Sequence, residues 1–348
     1  MPTSLARRRA IIVGAGQSGL AVAAALSAEG LRPQQDFVVI DAAAPGHRSW
    51  SSRWHSMVLL SDARHSALPT RRYPGDQRSH PRVDEMVDYL KVVEASIGVE
   101  TAWGVRVTGA ERRGDGSTLH LSTTAGEVQT RNIVCATGAA AHPRLPEWAS
   151  ALTVPGVAIH SSSYQYPRQI PTPDVLVIGG GNSGLQIARE LAASHTVTMA
   201  VRTRRAHRPL ASYPLAAGGR RPLFGGDLRP EPVFGDSYER LQQAGVRIAP
   251  AVAGVHIATA VTHARGGAVT FEDGTTASPG SVIFATGYLP GDDWLPDEAR
   301  IRGTRRTTTP VPGLFVAGFP QYSRRGVDTI AGVAADATAI AHHIINRP

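Results

Sequence analysis

The amino-acid sequence predicts an α/β chain made of two similar parallel-sheet units, the second inserted into the first. Three observations predict it. A short apolar strand, a glycine-rich turn and a helix-forming run follow one another over residues 10–26 and again over residues 175–193. A β-rich stretch comes after each, opening at Gly98-Val99 and at Gly245-Val246. Each stretch ends in an apolar strand running into Ala-Thr-Gly, at 136–138 and at 285–287. Repeats fix architecture early, because each copy must bury its apolar face in the same way. The plan is that of two Rossmann-like dinucleotide-binding domains.

Each element follows from its residues. Ala10–Val13 is apolar and too short to be a helix by itself. Gly14-Ala15-Gly16-Gln17-Ser18-Gly19 makes the turn. Residues 20–26 are strong helix formers, and Gly30 stands where a helix ends. Residues 37–40 form the second strand, which stops at Asp41. In the second copy, residues 175–178 are the strand and Gly179-Gly180-Gly181-Asn182-Ser183-Gly184 the turn. Residues 185–193 are the helix and 196–201 the next strand, followed by Arg202. Hairpin turns are expected at Gly114-Asp115-Gly116 and Asp273-Gly274. Residues 42–82 and 202–236 break the pattern with Trp, Pro, Arg and Gly, and long loops of this kind are expected to line a cofactor and substrate cavity. A last strand leads to Gly318, and a helix over about 330–345 closes the chain.

Composition excludes several functions. The 348 residues carry a formal charge of +8, nearly all of the positive side from arginine, since Lys91 is the one lysine. Arginine suits phosphate, but no helix-turn-helix, zinc-finger or RNA-binding signature appears, so nucleic acid is not the expected partner. Cys135 is the one cysteine, which rules out an internal disulfide and a Cys-x-x-C redox pair. No metal-ligand cluster, paired carboxylates or triad stand out, so no catalytic side chain is assigned. No long apolar run or leader peptide is evident, and the expected compartment is the cytoplasm.

The two glycine turns carry the chemistry. In G-x-G-x-x-G between strand and helix, the first glycine makes the turn and the second lets a pyrophosphate approach. The third packs helix on strand, and the helix N-terminus offers free N–H groups. These are Gly14, Gly16 and Gly19, then Gly179, Gly181 and Gly184. Asp41 stands where a ribose hydroxyl would be met, or is a solvated strand-end acid; the first site therefore suits FAD or NAD. Arg202 and Arg204 would meet a 2′-phosphate, or belong to a basic surface loop; the second suits NADPH. Two such sites imply hydride transfer between two cofactors.

Val154-Pro155-Gly156-Val157-Ala158-Ile159-His160-Ser161-Ser162-Ser163-Tyr164 resembles the fingerprint F-x-G-x-x-x-H-x-x-x-(Y/F) of the flavin-containing monooxygenase superfamily, with Val154 in place of Phe. The resemblance extends to Trp50, Trp54, Tyr73-Pro74-Gly75-Asp76 and Thr286-Gly287-Tyr288, and is nearest to the short bacterial class B type. It implies that NADPH reduces FAD, that O₂ then forms a C4a-(hydro)peroxyflavin, and that oxygen passes to a small nitrogen or sulfur nucleophile or to a ketone. The cofactor-binding residues it implies are Gly14, Gly16, Gln17, Ser18, Gly19, Asp41, Trp50, Trp54, Thr137, Gly138, His160 and Tyr164. In the second half they are Gly179, Gly181, Asn182, Ser183, Gly184, Arg202, Arg204, Thr286, Gly287, Tyr288 and Gly318. His160 and Tyr164 are alternatively structural, bonding backbone where domains meet. The expected domains are 1–160 with 280–348 for FAD, and 161–279 for NADPH. The alternative function is an FAD-dependent NAD(P)H reductase passing electrons to a protein partner or a quinone. Gly318-Phe319 departs from the Gly-Asp of many two-dinucleotide reductases.

Overall fold

The computed structural model of the chain describes residues 8–113, 118–202, 255–301, 307–324 and 326–347. The chain divides into two compact units. One comprises Met1–Ser51, Asp62–His142 and Tyr288–Pro348; the other Ser52–Ser61 and Pro143–Gly287.

Unit one begins with β1 (Ala10–Val13), α1 (Gln17–Ala28) and β2 (Phe37–Asp41). A helix that sequence reasoning missed follows: α2 (Val83–Ile97). Its signal is present in the sequence. Val83, Met86, Tyr89, Leu90 and Val93 are buried at helical spacing, the Arg82 N–H donates to Glu85 in a capping box, and Gly98 ends the helix at φ +74°. Next come β3 (Ala102–Trp103) and a meander of β4 (Val107–Arg113), β5 (Thr118–Thr123) and β6 (Gly126–Thr130). The expected 114–116 hairpin turn falls outside the described residues, but the strands either side of it pair antiparallel. Then β7 (Asn132–Cys135) and β8 (His142–Pro143) lead out of the unit.

Unit two contains β9 (Ala158–His160), β10 (Asp174–Ile178), α3 (Asn182–Leu191), β11 (Thr196–Ala200) and β12 (Val255–Ala258). Its meander is β13 (Val261–Arg265), β14 (Ala268–Phe271) and β15 (Thr276–Ala277), before β16 (Ser281–Phe284). The chain then returns through β17 (Tyr288–Leu289), which pairs with β8, to β18 (Leu314–Val316) and α4 (Ala334–Ile345).

The two main sheets have one topology. The orders are β18-β7-β1-β2-β3 and β9-β16-β10-β11-β12, and every pairing in them is parallel. Buried strands alternate their side chains between two faces. In unit one, Ile11, Val13, Val38, Ile40, Ile133 and Val316 face the meander residues Leu119, Leu121 and Val128. The opposite face receives α1, which is buried almost all round because α2 and α4 flank it; its alanines let the helices approach. In unit two, Val175, Val177, Val197 and Met199 take α3, whereas Leu176, Ile178 and Phe284 take the meander residues Val269 and Phe271.

The fifth strand of each sheet explains where the units divide. β18 reaches the first sheet only after the second unit is complete. β9 precedes β10 but pairs with β16. Residues 143–160, expected in the first domain, therefore group with unit two, as do Ser52–Ser61 and the stretch up to Gly287.

The glycine spacing sets the helix–sheet distance. A Cβ on Gly19 would sit 1.8 Å from the Gly14 carbonyl oxygen, whereas nothing lies within 4 Å of one on Gly16. Gly19→Ala should therefore lower the unfolding free energy of the protein by about 3 kcal/mol, while Gly16→Ala should stay within about 0.5 kcal/mol of the parent when no ligand is bound. Urea unfolding of the two variants checks both values.

Candidate functional site: two glycine cradles

Unit one places its glycine turn at the C-terminal edge of the sheet, the edge where parallel α/β folds bind ligands. Gly14 adopts φ +110°, and a Cβ there would lie 2.4 Å from the Ala136 oxygen. Its N–H donates to the Ile40 carbonyl (2.8 Å) and the Ala136 N–H to that of Val13 (2.8 Å). Gly14 and Gly19 are thus demanded by packing. Gly16 is not: its φ is −75°, and its Cα faces empty space. Among the described residues nothing would make a side chain at 16 costly. The first turn of α1 has no side-chain cap and no acidic residue, so its N–H groups and the positive end of the helix dipole meet that space.

Unit two repeats each contact. Gly179 has φ +120°, with a Cβ position 2.2 Å from the Ala285 oxygen, and Gly184 would strike Gly179 O at 2.0 Å. The Gly179 N–H donates to Ala200 (2.9 Å) and the Ala285 N–H to Ile178 (2.8 Å). Gly181, at φ −81° and with nothing within 4 Å, caps α3 without a side-chain bond or an acid. Two uncapped helix N-termini, each behind a turn with one glycine that packing does not require, fit two dinucleotide pyrophosphates.

The two cradles differ at the end of their second strands. Asp41 is half-buried; its Oδ2 accepts from the Ala15 N–H (2.7 Å) and its Oδ1 from the Ala43 N–H (2.8 Å). An ionised carboxylate has about four acceptor sites, so room for a ribose hydroxyl remains. The matching hydrogen bonds align Ile40 with Ala200, which puts Val201, not Arg202, opposite Asp41. Arg202 follows as an exposed residue, and Arg204 lies outside the described residues.

The other expected site residues separate into groups. Gln17 sits at the mouth of the first cradle, accepting from Trp50 Nε1 (3.1 Å) and donating to the Asp328 carbonyl (2.7 Å). Ser18 is buried under Gly318, whose Cβ position would be 2.1 Å from Ser18 Oγ. Thr137 ties the first Ala-Thr-Gly to the Gly291 carbonyl, and Thr286 ties the second to that of Arg144. Gly138 and Gly287 both have positive φ. Asn182 and Ser183 open α3, half-buried, and Tyr288 begins β17.

Three residues do not face a cradle. Trp54 is buried in the apolar core of unit two. Tyr164 is wholly buried and its hydroxyl donates to Glu190 (2.8 Å); burial raises its pKa. His160 Nδ1 accepts from the Ser162 N–H (3.1 Å), which leaves Nε2–H to donate to the Gly287 carbonyl (3.0 Å). Both ring nitrogens are occupied within the unit, and burial lowers the pKa, with Arg53 adding to the shift. The bonds His160 and Tyr164 make lie within unit two, where they fasten the end of β16 and α3.

Residues 11–217 match the pyridine nucleotide-disulphide oxidoreductase family. The chain belongs to that family. It is an oxidoreductase with two dinucleotide-binding units, and its relatives include flavin monooxygenases, in keeping with the resemblance seen in the sequence. It is 28% identical over 354 residues to an oxidoreductase named CzcO from Bacillus subtilis, covering 95% of this chain and 97% of that one. Indole-3-pyruvate monooxygenase YUCCA1 of rice (Oryza sativa subsp. japonica) is 33% identical over 184 residues, 52% of this chain and 44% of that one. A flavin-containing monooxygenase from Stenotrophomonas maltophilia shares the fold at TM-score 0.75 and 24% identity, covering 97% of each chain. The disulphide chemistry in the family's name needs two thiols. This chain has one cysteine, Cys135, buried in β7 with its pKa pushed up to about 12 by desolvation. Among the described residues no helix is long and apolar enough to cross a membrane, and no acid, His or Cys cluster is poised for a metal.

Sequence reasoning missed Arg48. It is 3% exposed, donates from Nε to the Ala15 carbonyl (2.8 Å), pairs with Glu94, and sets its guanidinium carbon over the Trp103 ring, 5.1 Å from the centroid. In an arginine-rich chain nothing local marked it out.

His160 gives a pH test. Its folded pKa lies below the ordinary 6.5, so its contribution to stability is present above that value and is lost as pH falls through the folded one. Protonation would set an Nδ1–H against the Ser162 N–H. In thermal melts from about pH 8 to about pH 5, His160→Gln should show a flatter loss of stability than the parent; parallel curves would contradict the assigned tautomer.

Proposed function

We propose that the chain is an NADPH-dependent FAD monooxygenase that transfers one oxygen of O₂ to a small nitrogen or sulfur nucleophile or to a ketone. The observation that carries it is the pair of cradles with unfilled space at Gly16 and Gly181: one chain with two dinucleotide sites takes electrons from one cofactor to the other. Asp41 makes the first cradle the FAD site, because its spare lone pairs suit a ribose hydroxyl. Val201 makes the second the NADPH site: an apolar side chain in place of a carboxylate removes the repulsion a 2′-phosphate would meet, and Arg202 next to it supplies positive charge. The monooxygenase named among the relatives supports oxygen transfer over simple reduction. So does the lone, buried, high-pKa Cys135, which leaves no dithiol to carry electrons onward.

When bound, FAD supplies the two-electron chemistry and the reaction with O₂. The protein's part is to bind, orient and keep out water. Gly14, Gly16 and Gly19, with the uncapped turn of α1, hold the FAD pyrophosphate. Gly179, Gly181 and Gly184, with α3, hold that of NADPH. Gln17 and Trp50 border the first cradle, and Gly318 closes on Ser18 beside it.

Anaerobic reduction with NADPH followed by rapid mixing with O₂ tests the reaction. A long-lived flavin absorbance distinct from both the reduced and the oxidised spectra supports oxygen transfer. Immediate return of the oxidised spectrum, with efficient reduction of an artificial electron acceptor, assigns the chain instead as a reductase serving a protein or quinone. Arg202→Ala should weaken NADPH by about tenfold while leaving NADH nearly unchanged; equal effects on the two would refute the assignment of the second cradle.

A further inference from the structure

Arg48 lies apart from the glycine motif in sequence, yet its guanidinium is bonded to the middle of it. Ala15, between the first two glycines, is held from both sides. Its N–H donates to Asp41 Oδ2 (2.7 Å), and its carbonyl accepts from Arg48 Nε (2.8 Å). Arg48 is held in turn. Glu94 of α2 pairs with its Nη2, and the second Glu94 oxygen accepts from Thr101. The guanidinium carbon lies over the ring of Trp103, which is the β3 register partner of Asp41. The side chain is 1% exposed, and its Nη1 is buried with no hydrogen-bond partner among the described residues.

An unpaired buried N–H is costly. A residue selected only to fill this space would be apolar, since replacing a buried ion pair with hydrocarbon is often neutral or stabilising. What the cation accomplishes here is geometric: a planar fork fixes the Ala15 peptide, α2 and the end of β3 to one another.

We propose that Arg48 is a positioning residue for the adenosine end of the first cradle. By holding the carbonyl of the Ala15–Gly16 peptide it restrains the Ala15 backbone angles, and through them the adjoining Gly14–Ala15 peptide whose N–H meets Asp41 Oδ2, so that the remaining lone pairs of Asp41 are directed toward the ribose of the bound dinucleotide. Trp103 and Glu94 hold Arg48 for that task. The proposal rests on the assignment of FAD to the first cradle. Without Arg48 the Ala15–Gly16 peptide loses its one side-chain restraint, and the bond from the Ala15 N–H to the carboxylate loosens although Asp41 itself is intact.

The test uses the full-length protein stripped of flavin. FAD is titrated by quenching of flavin fluorescence, ADP by competition, and NADP⁺ separately. Arg48→Met should weaken FAD and ADP together, each by about tenfold or more, and leave NADP⁺ affinity unchanged. Arg48→Lys, which keeps the charge but has no planar fork, should show the same selective loss at smaller size and serves if the methionine variant does not fold. FAD and ADP affinities within about twofold of the parent, or a loss shared equally by NADP⁺, would overturn the role. Gly16→Val, measured in parallel, separates the two levels. If it loses FAD while Arg48→Met does not, only the role of Arg48 falls. If Gly16→Val also keeps FAD, the flavin lies elsewhere and the assignment of the first cradle falls with it.

Discussion

The close approach of a helix N-terminus to the edge of a parallel sheet governs both halves of this chain. Gly14 and Gly179 each lie over the carbonyl of an alanine that begins Ala-Thr-Gly, at Cβ-to-oxygen distances of 2.4 and 2.2 Å, which no side chain tolerates. Gly19 and Gly184 bring the helix down upon the same turn. With the helix so placed, its first N–H groups cannot be capped by the strand below and have no capping side chain above. The price of a tight junction is a set of unpaired donors at the positive end of a dipole, and an anion is what satisfies them. The strand orders, the meanders on the far face and the helices flanking α1 all keep that junction rigid.

Duplication of the junction does not mean that each unit is built from contiguous chain. Each sheet takes its fifth strand from across a crossing: β18 completes the first sheet after the second unit has been traversed, and β9 completes the second before its own glycine turn begins. The equivalence is close. Ala317 donates to Cys135 in one unit and Ser161 to Phe284 in the other, both at 2.9 Å. His160 therefore marks the end of an edge strand, and its bond to Gly287 ties that strand to the second Ala-Thr-Gly. The histidine and tyrosine that gave the sequence its resemblance to the monooxygenases earn their place by holding the second cradle together.

Much of this was legible because glycine reports backbone geometry directly. Gly14, Gly19, Gly179 and Gly184 have no substitutes where a Cβ would overlap a carbonyl, so the turns, their helices and their strands could be placed from residue identity alone. The turn at Gly274 was found in the same way. What could not be read depended on partners far away in the chain. β9 has three residues and no pattern of its own, and only its pairing with β16 makes it a strand. α2 is the exception: its apolar spacing, capping box and terminal glycine are all local to its own residues. Trp54 looked like a cofactor wall, but its indole fills a core whose other members lie more than a hundred residues later. Arg48 was one arginine among many until Ala15, Glu94 and Trp103 were placed around it.

The two cradles fail to match at the ends of their second strands. Matching hydrogen bonds put Asp41 and Val201 in equivalent places, so the difference between them is not a shift of register. A carboxylate bonded to two backbone N–H groups is an acceptor held in position; a valine there accepts nothing and repels nothing. The first cradle also has a buried arginine fixing Ala15, whereas its counterpart Gly180 leaves no room for a Cβ, with the Val201 methyl at 2.9 Å. One cradle thus presents a carboxylate held in a fixed polar network, and the other an apolar wall with arginine beyond it. Two identical sites would compete for one ligand. Sites that differ in this way would sort two dinucleotides under the proposed function, and Cys135, the one cysteine, is sealed in the sheet, which leaves no thiol pair to act as an electron outlet.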